Sequence, residues 1–196
     1  MKALISVIEL GNNLALLYDD GSRDIAYTTG NQLWPVSAGS STPPTSALFH
    51  WPFSLASSNM NNNNPGDNFR TEIRPEHNGM DFGFPPGAVG GAEIGAAGAG
   101  TVTTAEFDSG FGNHVIIDHG TISGINRKTL YAHMLDGSFM VGVSDVVALG
   151  QGLGLVGSTG SSTGNHLHLE TWNDDVKVDP LLFMAELNPN NYAVRF

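Results

Sequence analysis

The sequence predicts an all-β chain, mainly antiparallel sheet with long loops and little helix. The 25 glycines in 196 residues interrupt it too often for long helices. Short apolar, β-branched runs such as Val115-Ile116-Ile117 are closely spaced and bounded by turn signals. No ten-residue stretch carries a strong helical period, so neighbouring runs are expected to pair as antiparallel strands. With 40% hydrophobic and 14% charged residues the composition is that of a folded protein. The length suits one ordinary domain plus a small appendage.

Residues 3–9, 14–18 and 25–28 are β-like runs separated by Gly11-Asn12-Asn13 and Asp20-Gly21, which reads as a three-stranded meander over residues 1–35. So small a sheet is marginal alone and is expected to dock on a larger body. Residues 36–48, rich in Ser, Thr and Pro, read as a semi-extended linker. Phe49-His50-Trp51-Pro52-Phe53 is an aromatic knot that anchors the incoming chain to a main domain over residues 49–185. The asparagine-rich run 58–68 reads as a solvated loop, with a flap on the rim of a site as its functional alternative. Glycines and prolines around His77 and Asp81 exclude a helix, so these two side chains must converge across extended, bent chain. Strands are expected at 99–105, 113–118, 129–133, 146–156 and 166–172, with turns at Asp108-Ser109-Gly110 and His119-Gly120. Pro180-Leu-Leu-Phe-Met184 reads as a short terminal helix, and residues 186–196 as a tail.

The formal net charge of −11 and the lack of any basic cluster exclude nucleic-acid or anionic-membrane binding driven by electrostatics. No run is long enough for a membrane-spanning helix. Ala3-Leu4-Ile5-Ser6-Val7-Ile8 is too short and strand-like for a secretory signal, so delivery to an extracellular target is expected to come from elsewhere. Cysteine is absent, so any metal must take imidazole or carboxylate ligands.

The chemistry gathers around Gly157-Ser-Thr-Gly-Ser-Ser-Thr-Gly-Asn-His166-Leu-His168-Leu-Glu170. Alternate strand residues share a face, so His166 and His168 look into the same space. Hydrolytic zinc sites commonly use three protein ligands and leave one position for water. His77, Asp81 and one histidine of the pair fit that description. No His-Glu-x-x-His helix supplies a base, which leaves the other histidine of the pair and His133 as candidates. Glu170 is two residues beyond His168 on the same face, where it could orient a ligand or pair with Arg74 or Lys177. His50, His114 and His119 read as packed or solvated residues, and Gly157, Gly160 and Gly164 as turn formers.

Four segments in series resemble the lysostaphin/LytM-type zinc metallopeptidases that cut bacterial cell-wall peptides. They are His77-Asn-Gly-Met-Asp81-Phe, Gly112-Asn-His-Val-Ile-Ile-Asp-His-Gly120, Tyr131-Ala-His133-Met, and Gly150-Gln followed by Gly157-Ser-Thr-Gly through His166-Leu-His168-Leu-Glu170. The resemblance spans roughly residues 49–184. It implies a LytM/lysostaphin-like fold with the site along a groove, one Zn2+ held by His77, Asp81 and His168, and His133 and His166 as the catalytic histidines. It further implies an extended peptidoglycan peptide as substrate, with Asn113, Tyr131 and the loop 158–165 as groove contacts. Segments 87–98 and 122–127 are longer than the family's usual runs and are expected to shape the groove wall. The resemblance, the N-terminal β unit and the missing leader together suggest action at the cell wall by a phage lysin or a tail-associated protein docking through that unit. A non-catalytic regulator of another wall hydrolase is the competing class, and such members typically lack ligands.

Overall fold

The structure, a computed structural model, describes residues 4–10, 13–18, 23–29, 32–33, 49–52, 69–83 and 91–187. The linker at 36–48, the asparagine-rich run 58–68 and residues 188–196 of the tail lie outside the described residues.

The N-terminal strands are β1 (Leu4–Leu10), β2 (Asn13–Tyr18), β3 (Arg23–Thr29) and β4 (Gln32–Leu33). They form one antiparallel sheet in the order β1-β2-β3-β4, one short strand more than the sequence suggested. Leu10 pairs with Asn13 at the end of the β1–β2 ladder.

The second sheet is built from β5 (Met80–Gly83), β7 (Gly100–Asp108), β8 (Gly112–Ile122), β9 (Ile125–Met134), β10 (Val146–Val147), β12 (His166–Asn173) and β13 (Val176–Val178). A two-stranded sheet pairs β6 (Glu93–Gly95) with β11 (Gly152–Leu155). In the large sheet the order is β10-β7-β8-β9-β12-β13, with β5 also pairing β12, and every pairing is antiparallel. The expected all-β, antiparallel class is thus what forms. The run 146–156, read as one strand, is divided between two sheets, because the chain turns at Gly150, whose φ is +76°.

The hairpin 122–127 turns on Ser123 and Gly124, both at positive φ (54° and 83°), so it is a tight two-residue turn between long strands. None of residues 122–127 lines the groove described below, contrary to the expectation that this segment shapes its wall. The single helix among the described residues, α1 (Pro180–Leu187), is longer than the expected 180–184. Asp179 Oδ1 accepts the Leu181 N–H at 3.0 Å, and Pro180 occupies the first helical position, where its missing N–H costs nothing. Leu181, Phe183, Met184 and Leu187 seat the helix in the core.

One face of the sheet makes that core. Met80 and Phe82 of β5, Val115 and Ile117 of β8, Tyr131 of β9 and Leu167 and Leu169 of β12 are buried there, and Phe49 and Trp51 join them as the sequence anticipated. Strand period two then sends Asp81, His166, His168 and Glu170 to the opposite face.

Candidate metal centre and active site

The centre starts from a strand register. His168 stands directly opposite Asp81 in the β5–β12 pairing, so the two side chains leave the same face side by side. Asp81 Oδ1 lies 2.7 Å from His168 Nδ1. His77 precedes β5 in a turn held by its N–H to the Arg74 carbonyl (3.0 Å) and by the Arg70 N–H to its own carbonyl (2.8 Å). Its Nε2 lies 3.0 Å from Asp81 Oδ1 and 3.2 Å from His168 Nδ1. The chain between His77 and β5 must cross the His168 ring closely. A Cβ on Gly79 would fall 2.4 Å from the Leu169 carbonyl oxygen and 2.7 Å from His168 Cε1, so only glycine passes.

Three potential ligand atoms therefore converge within 3.2 Å of one another on residues that are all buried. Bonds of about 2.0–2.1 Å to a tetrahedral ion would separate its ligands by roughly 3.3 Å, so this donor set fits such an ion closely. Burial would raise the Asp81 pKa, but hydrogen bonds from His168 and His77 overcome it and hold the carboxyl well below the usual range. Arg74 donates to the other Asp81 oxygen at 2.9 Å, leaving Oδ1 for the centre.

Behind the centre stands Glu170, 2% exposed. Its Oε1 lies 3.4 Å from His168 Nε2 and accepts from Lys177 Nζ at 2.9 Å, while Oε2 accepts from Trp172 Nε1 at 2.9 Å. Of the two roles open to Glu170 in the sequence, orienting His168 and pairing with Lys177 both occur; Arg74 goes to Asp81 instead. Burial works to lower the His168 pKa, but its bonds to Asp81 and Glu170 overcome it and raise it.

The two remaining site histidines face the same groove, whose volume is about 890 Å³. His133 and His166 have ring centroids 4.7 Å apart, and His166 Nε2 is 3.8 Å from Asp81 Oδ1. His133 Nδ1 is 2.9 Å from the Thr159 carbonyl and His166 Nδ1 is 2.8 Å from the Gly164 carbonyl. A carbonyl only accepts, so both rings carry hydrogen on Nδ1. Burial pushes His133 down to about 4, against the opposing pull of its bond to Thr159, so its base form prevails at neutral pH.

How His133 reaches the groove was not legible in the strand pattern. Tyr131 pairs with Leu169 on the core face, and simple alternation would send His133 inward with it. Instead Ala132 and His133 together oppose the single residue His114, since Asn113 pairs with Met134 and Val115 with Tyr131. This is a β-bulge, and His133 sits in it at φ +59°, a sparsely populated conformation for a side-chain-bearing residue. The extra residue re-aims the imidazole from core to groove.

The same register corrects one expected groove contact. Tyr131 is fully buried, its hydroxyl accepting the Ala97 N–H at 2.7 Å, so it supports the core and does not touch the groove. Asn113 is also buried and absent from the lining; its amide points to the Met134 carbonyl and Asp136, behind the wall. The loop expectation fares better, because Ser161, Ser162 and Thr163 line the groove. His50, His114 and His119 lie outside it, each with Nδ1 on a backbone carbonyl. Phe111, which no motif singled out, lines the groove and stacks on His168 at 6.1 Å and 28°. Only its place just before Gly112-Asn113 hinted at it.

Such an arrangement suits hydrolysis: a metal held at His77, Asp81 and His168 would acidify a water and polarise a carbonyl. His133 and His166 stand beside that position, where an imidazole can take up and return a proton.

Sequence comparison agrees. Residues 75–180, more than half of the chain, match peptidase family M23. Over 105 residues, 54% of this chain, it is 36% identical to the DD-carboxypeptidase/endopeptidase Mpg of Neisseria meningitidis serogroup B. Over 105 residues, again 54%, it is 33% identical to the peptidoglycan DD-endopeptidase ShyB of Vibrio cholerae. Each match spans 22% of the relative's own length. Among solved structures, a zinc containing peptidase from Vibrio cholerae is similar with a TM-score of 0.51 and 25% identity, covering 86% of this chain and 48% of that one. With a candidate metal-ligand triad in one groove and more than half its length matched, the chain belongs to peptidase family M23.

Proposed function

We propose that this chain is a zinc-dependent endopeptidase that hydrolyses peptide bonds of bacterial peptidoglycan, in the cross-bridge or the stem peptide. The observation that carries the reading is the convergence of His77, Asp81 and His168 within 3.2 Å beside two histidines that each donate Nδ1–H to a backbone carbonyl. Zinc is favoured by the two-imidazole, one-carboxylate donor set and by the similar zinc containing peptidase. Peptidoglycan is favoured by the named activity of the relative from Vibrio cholerae.

In this reading His133 and His166 act as proton acceptor and donor. An extended peptide lies along the loop 161–163. A non-catalytic regulator is the weaker reading, because all five ligand and catalytic positions are filled. Phage delivery, as a lysin or as a tail component docking through β1–β4, is a further part of the proposal favoured by the N-terminal four-stranded sheet. Mass spectrometry of purified virions tests it, and absence of the chain there would leave only the lysin form. The central test digests purified cell wall with native protein and His133→Ala and identifies the products. New peptide termini with the native protein alone support the proposal, and equal release by both contradicts it.

A further inference from the structure

The bulge that carries His133 needs something to hold it. We infer that Thr159 is a positioning residue for His133, one side chain and one carbonyl that close the bulge and set the imidazole together. This rests on the catalytic role of His133 proposed above.

Asn113 of β8 and Met134 of β9 are the register pair immediately beyond the bulge. Thr159 Oγ1 bridges them, accepting the Asn113 N–H at 3.0 Å and donating to the Met134 carbonyl at 2.6 Å. The hydroxyl stands where the ladder has been opened by the extra residue. The Thr159 carbonyl meanwhile accepts His133 Nδ1 at 2.9 Å, which fixes the tautomer and aims Nε2 into the groove. His133 N–H donates to the Phe111 carbonyl at 2.8 Å, so the strained residue is held from three sides.

Thr159 itself is held by close backbone packing. A Cβ on Gly112 would lie 2.4 Å from the Thr159 carbonyl carbon and oxygen, and one on Gly160 would lie 2.2 Å from the Gly112 nitrogen. Both glycines have positive φ, 65° and 72°, so each is needed for conformation and for space. The Ser161 N–H to the Gly110 carbonyl, 2.9 Å, pins the loop one residue further on. The glycines of Gly-Ser-Thr-Gly therefore bring one threonine against the bulge. A residue of this kind shapes catalysis through geometry, and small misplacements of a reacting group are costly.

The test uses the full zinc-loaded chain with Thr159→Val, which keeps the shape and deletes the hydroxyl, and Thr159→Ser, which keeps the hydroxyl. We expect Thr159→Val to lower kcat about 10- to 100-fold while KM and zinc affinity stay within about twofold, and Thr159→Ser to recover most of the loss. Imidazole 15N spectra should show His133 losing its single Nδ1–H tautomer in the valine variant and keeping it in the serine variant. Thr159→Ala carries the same expectation, so a valine variant that fails to fold leaves the test intact. Native kcat in the valine and alanine variants, an unchanged His133 tautomer, or loss of zinc affinity in parallel with kcat would overturn the inference. A fully active His133→Ala would instead overturn the functional reading beneath it.

Discussion

His168 and His133 share one groove yet are placed by opposite means. His168 and Asp81 occupy facing positions of two regular strands, where period two and register leave no other direction for the side chains. His133 depends on irregular backbone, a bulge at φ +59°. Regular pairing aims His168 and Asp81, and distorted pairing aims His133. The first should tolerate changes in loops, and the second should not.

The largest effect should follow removal of a strand-borne ligand. Asp81→Ala deletes the carboxylate that both ligand histidines approach, and activity should fall by at least about a thousandfold with loss of bound metal, read by turnover and elemental analysis. Retained metal and activity would show that the register does not build the centre. Next comes the support behind it: Glu170→Gln should weaken zinc binding about 10- to 100-fold, measured by calorimetry, while turnover at saturating zinc changes less. A variant with native zinc affinity would mean that Glu170 serves only Lys177 and Trp172.

A third change separates groove from core. Tyr131→Phe leaves the buried Ala97 N–H without its 2.7 Å acceptor, which should cost about 1–3 kcal/mol in urea unfolding with kcat unchanged. Loss of kcat at native stability would return Tyr131 to the substrate path. The smallest effect concerns His119, which burial pushes down to about 4, against a raising bond to the Ala99 carbonyl. The unfolded ring titrates near 6.5, so between about 6.5 and 4 the unfolded state binds the extra proton. The stability tied to His119 is complete above that window and lost as pH falls through it. His119→Gln should make the decline of the urea midpoint from pH 7 to 5 less steep, and an equally steep decline would place the titration elsewhere.

The same division decides what could be read without coordinates. The faces of β12 follow from Leu167 and Leu169 alternating with His166, His168 and Glu170, so the histidine pair announced itself. The antiparallel class followed equally from short runs and turns. The four motif segments, by their resemblance, pointed to His77 and Asp81 and divided the histidines into ligands and bases; the facing of Asp81 and His168 then emerged from pairing. Tyr131 went wrong because it shares a motif with His133 and only the bulge puts them on opposite faces. That bulge is a relation between β8 and β9, distant in sequence, and no local periodicity encodes it. The bridge through Thr159 escaped notice for the same reason: Gly157-Ser-Thr-Gly160 reads as a turn until Gly112 is seen packed against it.

The sharpest measurement is zinc content per chain in His168→Ala beside His166→Ala, two histidines two residues apart on one strand face. Near-stoichiometric zinc in His166→Ala and almost none in His168→Ala is the predicted result, because only His168 pairs with Asp81 across the strands. Zinc kept by His168→Ala and lost by His166→Ala would contradict it.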